Sequence, residues 1–176
     1  LRDTRETYMD PHGMPSGGDW AIQNQQVGGA VTLVGTEAII IDQCNFSRVD
    51  GNAVFLGGYN LNASVLSSVF EWVGDTAIAS WGETSSALDA KGTRHIPGGY
   101  KLGPDGRGGT QPTNTRIVGN VAHDVGIWQK QSSFYFHAVS AKAHVEGNVF
   151  YNGPRAALNF NDGFGGGDVV TGNLLV

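Results

Sequence analysis

Short apolar runs alternate along this chain with turns rich in Gly, Asn and Asp, and the runs repeat. The string Ile41-Asp42-Gln43-Cys44-Asn45-Phe46 has counterparts in Val65 to Phe70, Ile117 to Ala122, Val145 to Phe150 and Val170 to Leu175. Their spacings are 24, 52, 28 and 25 residues. The interval of 52 covers two periods, or one period plus an insertion. In this register Ile41, Val65, Ile117, Val145 and Val170 form one apolar column, and Phe46, Phe70, Ala122, Phe150 and Leu175 form a second. Between them runs a column of small polar residues: Cys44, Ser68, Asn120, Asn148 and Asn173. The last three follow a Gly. Asparagine tolerates left-handed turn conformations, and stacked asparagines can hydrogen-bond from layer to layer.

A further strand-like run precedes most of these segments: Ala30 to Leu33, Ala53 to Leu56, Thr76 to Ala79, Phe134 to Phe136 and Ala157 to Phe160. No helical stripe of useful length appears. A period in the mid-twenties with like residues in columns predicts an all-β fold, a right-handed parallel β-helix. In this single-stranded solenoid, coils pair through parallel ladders and like residues stack inside. An antiparallel sandwich would not produce same-residue columns. The pattern lapses from Glu83 to Thr115, a stretch rich in Gly, Pro, Lys and Arg, which is predicted to be a loop insertion between coils. Residues 1–176 thus read as one β-helix domain. The chain starts at Leu1 with no visible signal peptide and stops in an apolar run, so the expectation is a segment of a larger protein.

Composition narrows the function classes. With 40% hydrophobic and 15% charged residues the chain is globular. No apolar run approaches the roughly 20 residues of a membrane span. A net charge of −5 argues against nucleic acid as a partner. Cys44 is the one cysteine, so no internal disulfide can form, and a buried structural thiol is expected. Asn45-Phe46-Ser47 and Asn62-Ala63-Ser64 fit the N-glycosylation sequon, which makes Asn45 and Asn62 candidate acceptors in a secreted protein.

Chemistry on a β-helix comes from outward side chains, because inward ones fill the core. Taking Phe134 and Phe136 as inward turns Tyr135 and His137 outward. Taking Leu158 and Phe160 as inward does the same for Asn159 and Asn161, one coil further and about 4.8 Å away. Thr32, Phe55 and Ala79 fall on the same face of earlier coils. Lys130, Gln131, Arg155 and Asp162 lie at the strand ends, and Trp128 and Trp81 offer flat stacking surfaces. Such a face suits a linear polysaccharide. The expected chemistry is β-elimination or epimerisation of a uronic acid, with Tyr135 or His137 as acid or base and Lys130 or Arg155 stabilising the enolate. Asp162 and Asp168 are the carboxylates a glycoside hydrolase would need. Trp128, Gln131, Asn159, Asn161 and Trp81 would hold the substrate. Plainer alternatives stand beside these roles: His137 bonded to a neighbouring coil, Arg155 bracing the turn after Asn152-Gly153-Pro154, and Asn159 with Asn161 forming an exterior ladder. The Gly-rich run from Asp162 to Asp168 lacks the Lys-Ser/Thr of a phosphate loop and reads as a tight turn. No cofactor is expected, and Ca2+, through those aspartates, is the one candidate metal. Asp10-Pro11-His12-Gly13 and Ser16 to Trp20 read as a capping loop rather than a metal site.

Several strings resemble those of large right-handed β-helix, pectate-lyase-like proteins of eukaryotic algae and oomycetes. They are Asp50-Gly51-Asn52-Ala53, Gly57-Gly58-Tyr59-Asn60, Gly74 to Ile78, Gly126 to Ser133, Asn152-Gly153-Pro154-Arg155-Ala156 and Asn159 to Gly167. The resemblance covers nearly the whole chain apart from the insertion. It implies the β-helix and an extracellular or surface setting, and it lends no catalytic residues. Two functions follow as expectations. One is an extracellular carbohydrate-binding or carbohydrate-active β-helix, a lyase or epimerase of uronic-acid polymers. The other is a structural or adhesive module of an extracellular coat or filament, assembling end to end or laterally through its open coils.

Overall fold

The structure is a computed structural model, and it describes residues 29–82, 110–160 and 165–176. It is an all-β parallel solenoid of about five coils, with no helix among the described residues. The first coil contains β1 (Gly29–Glu37), β2 (Ile40–Asp42) and β3 (Asn45–Val49). The second contains β4 (Asn52–Leu61), β5 (Ser64–Leu66) and β6 (Val69–Val73). The third contains β7 (Ile78–Trp81), β8 (Pro112–Thr113), β9 (Arg116–Val118) and β10 (Val121–Val125). The fourth contains β11 (Tyr135–Ala138), β12 (Ser140–Ala141), β13 (His144–Glu146) and β14 (Val149–Tyr151). The fifth contains β15 (Leu158–Phe160), β16 (Gly165–Gly166), β17 (Val169–Thr171) and β18 (Leu174–Leu175).

Equivalent strands stack into three parallel sheets. Sheet A collects β1, β4, β7, β8, β11, β12, β15 and β16; sheet B runs β2-β5-β9-β13-β17; sheet C runs β3-β6-β10-β14-β18. The columns read from the sequence are the ladder partners of sheets B and C: Ile41 pairs Val65, Val65 pairs Ile117, Ile117 pairs Val145 and Val145 pairs Val170. Phe46, Phe70, Ala122, Phe150 and Leu175 follow one another in the same way. Like side chains pile up because each coil places its inward residue directly over the one below. Phe46 and Phe70 stack with ring centroids 4.9 Å apart and planes 6° apart. Each such buried ring contributes roughly 1.5–3 kcal/mol by leaving water.

The corner between sheets B and C explains the Gly-Asn repeat. Gln43, Ser67, Gly119, Gly147 and Gly172 all hold positive φ, from 44° to 67°. The chain turns there through the left-handed region, which glycine enters without steric cost. The next residue then points its side chain into the corner. Asn148 Nδ2 donates to Ile117 O at 2.9 Å and to Asn173 Oδ1 at 2.8 Å, while Asn148 Oδ1 accepts from Asn120 N at 2.9 Å and Asn120 Nδ2 at 3.0 Å. Asn120 Oδ1 accepts in turn from Ser68 N at 3.0 Å, and Ser68 Oγ from Cys44 N at 3.1 Å. The ladder satisfies backbone groups that the corner takes out of both sheets.

Two expectations change in this frame. β7 and β8, on either side of the expected insertion, both pair with β4, and residues 83–109 of that insertion lie outside the described residues. Strand structure also resumes at Pro112, inside the stretch expected to be loop as far as Thr115. Cys44 is exposed rather than buried, because it sits at the corner of the first coil where the polar column begins; its Sγ lies 3.3 Å from Asp42 O.

Candidate functional site

The phase of sheet A decides where the expected catalytic face lies. Val54 pairs Ile78, Ile78 pairs Tyr135, and Tyr135 pairs Leu158. Those four side chains belong to the interior cluster. Phe55, Ala79 and Phe136 are the alternate partners and, with Ala138 and Trp81, form a separate apolar cluster on the other face of the sheet. Tyr135 and His137 therefore point inward and Phe136 outward, the reverse of the expectation. The cause is local: Phe134-Tyr135-Phe136-His137 is aromatic at both parities, so it carries no period of two, and the neighbouring coils set the register.

Inside the solenoid Tyr135 is 0% and His137 2% exposed. The Tyr135 hydroxyl donates to Ser80 Oγ at 3.2 Å, one coil away. Burial raises the phenol far above its ordinary range, so no phenolate is available as a base. His137 Nε2 lies 3.3 Å from Asp168 Oδ1 without the alignment of a hydrogen bond, and Asp168 Oδ1 also accepts from Ala143 N at 2.7 Å. Burial disfavours the imidazolium and lowers the His137 pKa from 6.5, outweighing the opposing pull of Asp168. The imidazole packs at a tilt of 50° against Phe160, centroids 5.2 Å apart. This cluster ties the fifth coil to the fourth and offers no surface to a polymer.

The other expected residues stay apart from it. Lys130 Nζ donates to Gly126 O at 2.9 Å and Ile127 O at 3.0 Å, closing a turn. The side-chain oxygen of Gln129 accepts from Gln131 N at 3.1 Å, and Gln131 is exposed on that turn. Trp128 is half exposed, and Arg155 is exposed at the turn before β15. Trp81 packs against Phe136 with centroids 5.8 Å apart. Asn159 lies beside Phe136 in the ladder, and its Nδ2 is buried with no hydrogen-bond partner among the described residues. Asn161, Asp162 and the N-terminal Asp10 to Trp20 strings lie outside the described residues. Asn45 is exposed on sheet C. Asn62 is exposed at a corner, where its Oδ1 accepts from Asn114 Nδ2 at 3.2 Å. Among the described residues no group of three or more His, Cys, Asp and Glu could hold a metal ion. No helix among the described residues is long and apolar enough to cross a membrane.

Chemically versatile side chains gather instead on the outer face of sheet C. Phe46, Phe70, Ala122 and Phe150 face in, so the next residues, Ser47, Glu71, His123 and Tyr151, must face out. His123 and Tyr151 stack with centroids 4.9 Å apart and planes 12° apart. His123 Nδ1 lies 2.7 Å from Asp124 Oδ2, and its Nε2 lies 3.8 Å from Glu71 Oε2. Asn152 Nδ2 donates to Asp124 Oδ1. Beside this column runs another of positive φ: Arg48, Trp72, Asp124 and Asn152, at 51° to 56°. The left-handed turn swings Trp72 outward, where it is 52% exposed. No protein-family model, curated protein or solved structure matches the chain. The sheet C face was readable one step beyond the Phe46 column, since the position after an inward residue is outward.

Proposed function

We propose that this chain is an extracellular carbohydrate-recognising solenoid that binds a linear polysaccharide on the outer face of sheet C and does no chemistry at Tyr135 and His137. The observation that carries the reading is the arrangement on that face: exposed Trp72, the stacked His123–Tyr151 pair, and Glu71, Asp124 and Asn152 between them. Aromatic faces meet the apolar faces of sugar rings, while carboxylates and amides take hydroxyls. Rungs about 4.8 Å apart set these different groups in line along the solenoid axis, which suits an extended ligand. On the described part of this face two carboxylates, Glu71 and Asp124, stand against one guanidinium, Arg48, which favours a neutral or amino-bearing sugar over a uronate. The resemblance to the pectate-lyase-like β-helices of algae and oomycetes agrees with an extracellular or surface setting.

The test is affinity electrophoresis against a panel of neutral, amino-bearing and uronate polysaccharides. Retardation by a neutral or amino-bearing polymer, weakened by both Trp72→Ala and Tyr151→Ala, is the expected result. Retardation that survives both substitutions moves the ligand off this face. New ultraviolet absorbance from unsaturated ends on a uronate polymer would restore the lyase reading.

A further inference from the structure

The outer face of sheet B carries two basic rungs side by side. Ile117 and Val145 point inward, so the residues before them, Arg116 and His144, point outward, and the ladder sets those two directly beside each other on the third and fourth coils. Lys142 lies two positions before His144, at the corner into the sheet, where the chain turns with φ 57°. A Cβ at Gly167 would lie 3.2 Å from Lys142 Cγ, so the lysine stem runs over the fifth coil. Arg116, His144 and Lys142 thus form a line along the solenoid axis across three coils. All three are exposed, and among the described residues their side chains make no hydrogen bond or ion pair. Their ladder neighbours above and below, Ser64 and Val169, are uncharged. Glu146, two positions beyond His144 on the same face, is exposed and makes no ion pair either. Asp168 is turned towards His137 and Ala143 N. Basic groups on adjacent rungs repel one another when charged, and here no carboxylate of the protein offsets them, although the chain as a whole carries −5.

We propose that this line binds an anionic polysaccharide that carries a sulfate or carboxylate group on its successive sugars. Arg116 presents a planar fork of N–H donors that matches two oxygens of either group. Lys142 adds a mobile ammonium, and His144 a ring N–H between them. The rungs are about 4.8 Å apart, close to the length of one sugar ring, so a polymer lying along the axis offers an anion at each rung. A duplex nucleic acid is a poorer fit. It carries a charge every 1.7 Å or so, and its dense field would meet the net −5 of the whole chain at close range. Sheet C plays no part in this inference, which stands or falls apart from the reading above.

Affinity electrophoresis of the 176-residue chain tests it, in gels holding polygalacturonate, lightly sulfated dextran, plain dextran or duplex DNA. Retardation by polygalacturonate or sulfated dextran, beyond any by plain dextran and reduced by added salt, is the expected result; which of the two polymers acts tells carboxylate from sulfate. Arg116→Gln with Lys142→Gln should weaken that affinity roughly tenfold or more, at about fivefold for each charge removed. Glu146→Gln should strengthen it. Arg155→Gln removes the same charge from an exposed turn outside sheet B and should leave it unchanged. These positions are all exposed, and circular dichroism checks that each variant keeps its β signal. No retardation by either anionic polymer overturns the proposal, as does retardation that the Arg116→Gln, Lys142→Gln double variant leaves intact. Equal retardation by duplex DNA overturns it too, since the face would then answer to charge alone.

Discussion

Replacing Asn148 with Ala is the sharpest test of how the coils are held together. The side chain is fully buried and takes part in four hydrogen bonds, at 2.8–3.0 Å, to Asn120, Ile117 and Asn173. At about 1 kcal/mol for each net bond, with Asn120 N and Ile117 O left buried and unpaired, Asn148→Ala should cost about 3–5 kcal/mol. Asn173 provides an internal control. Its side chain also makes four bonds, to Asn148 N and Nδ2, Val145 O and Thr171 O, yet it is only half-buried at the last coil. Water can replace most of what Asn173→Ala removes, so its cost should be about 1–2 kcal/mol. Asn148→Asp should be at least as damaging as Ala at neutral pH, because it sets an anion against two acceptors, Ile117 O and Asn173 Oδ1. Urea unfolding followed by circular dichroism reads the difference as a shift in midpoint at unchanged slope. If Asn148→Ala and Asn173→Ala cost the same, burial is not what gives the ladder its strength, and the argument fails.

Three further predictions rest on other parts of the fold. His137 has a lowered pKa in the folded chain, so its contribution is complete above about pH 6.5 and declines as pH falls below that value, where the unfolded chain takes up a proton first. His137→Leu, which copies Leu56 in the same column, should flatten that slope in urea midpoints measured across acidic pH. Phe70→Ala, at the centre of the sheet C stack, should cost about 3–5 kcal/mol in the same assay, since the solenoid cannot close over the gap between Phe46 and Ala122. Gly74→Ala would place a Cβ 2.0 Å from Asp50 O and should prevent normal folding, seen as loss of soluble protein. Gly147→Ala meets nothing within 4 Å and should lose only about 1 kcal/mol, from its positive φ.

The sequence by itself determined the periodicity, the interior columns of sheets B and C, and the Gly-Asn corner. Those features repeat at one position in successive coils, and a period-two alternation flanks each of them. Ile41 to Val170 and Phe46 to Leu175 were legible for that reason. The tertiary structure alone decided the phase of sheet A. Phe134 to His137 offers a large side chain at every position, so either face could have gone inward, and the ladder to Ile78 and Ala79 chose. That choice buried Tyr135 and His137 and moved the exposed chemistry to Glu71, Trp72, His123 and Tyr151. The outward turn of Trp72 was likewise beyond pattern reading, because a bulky residue at positive φ goes against local preference and is held there by the coils on either side.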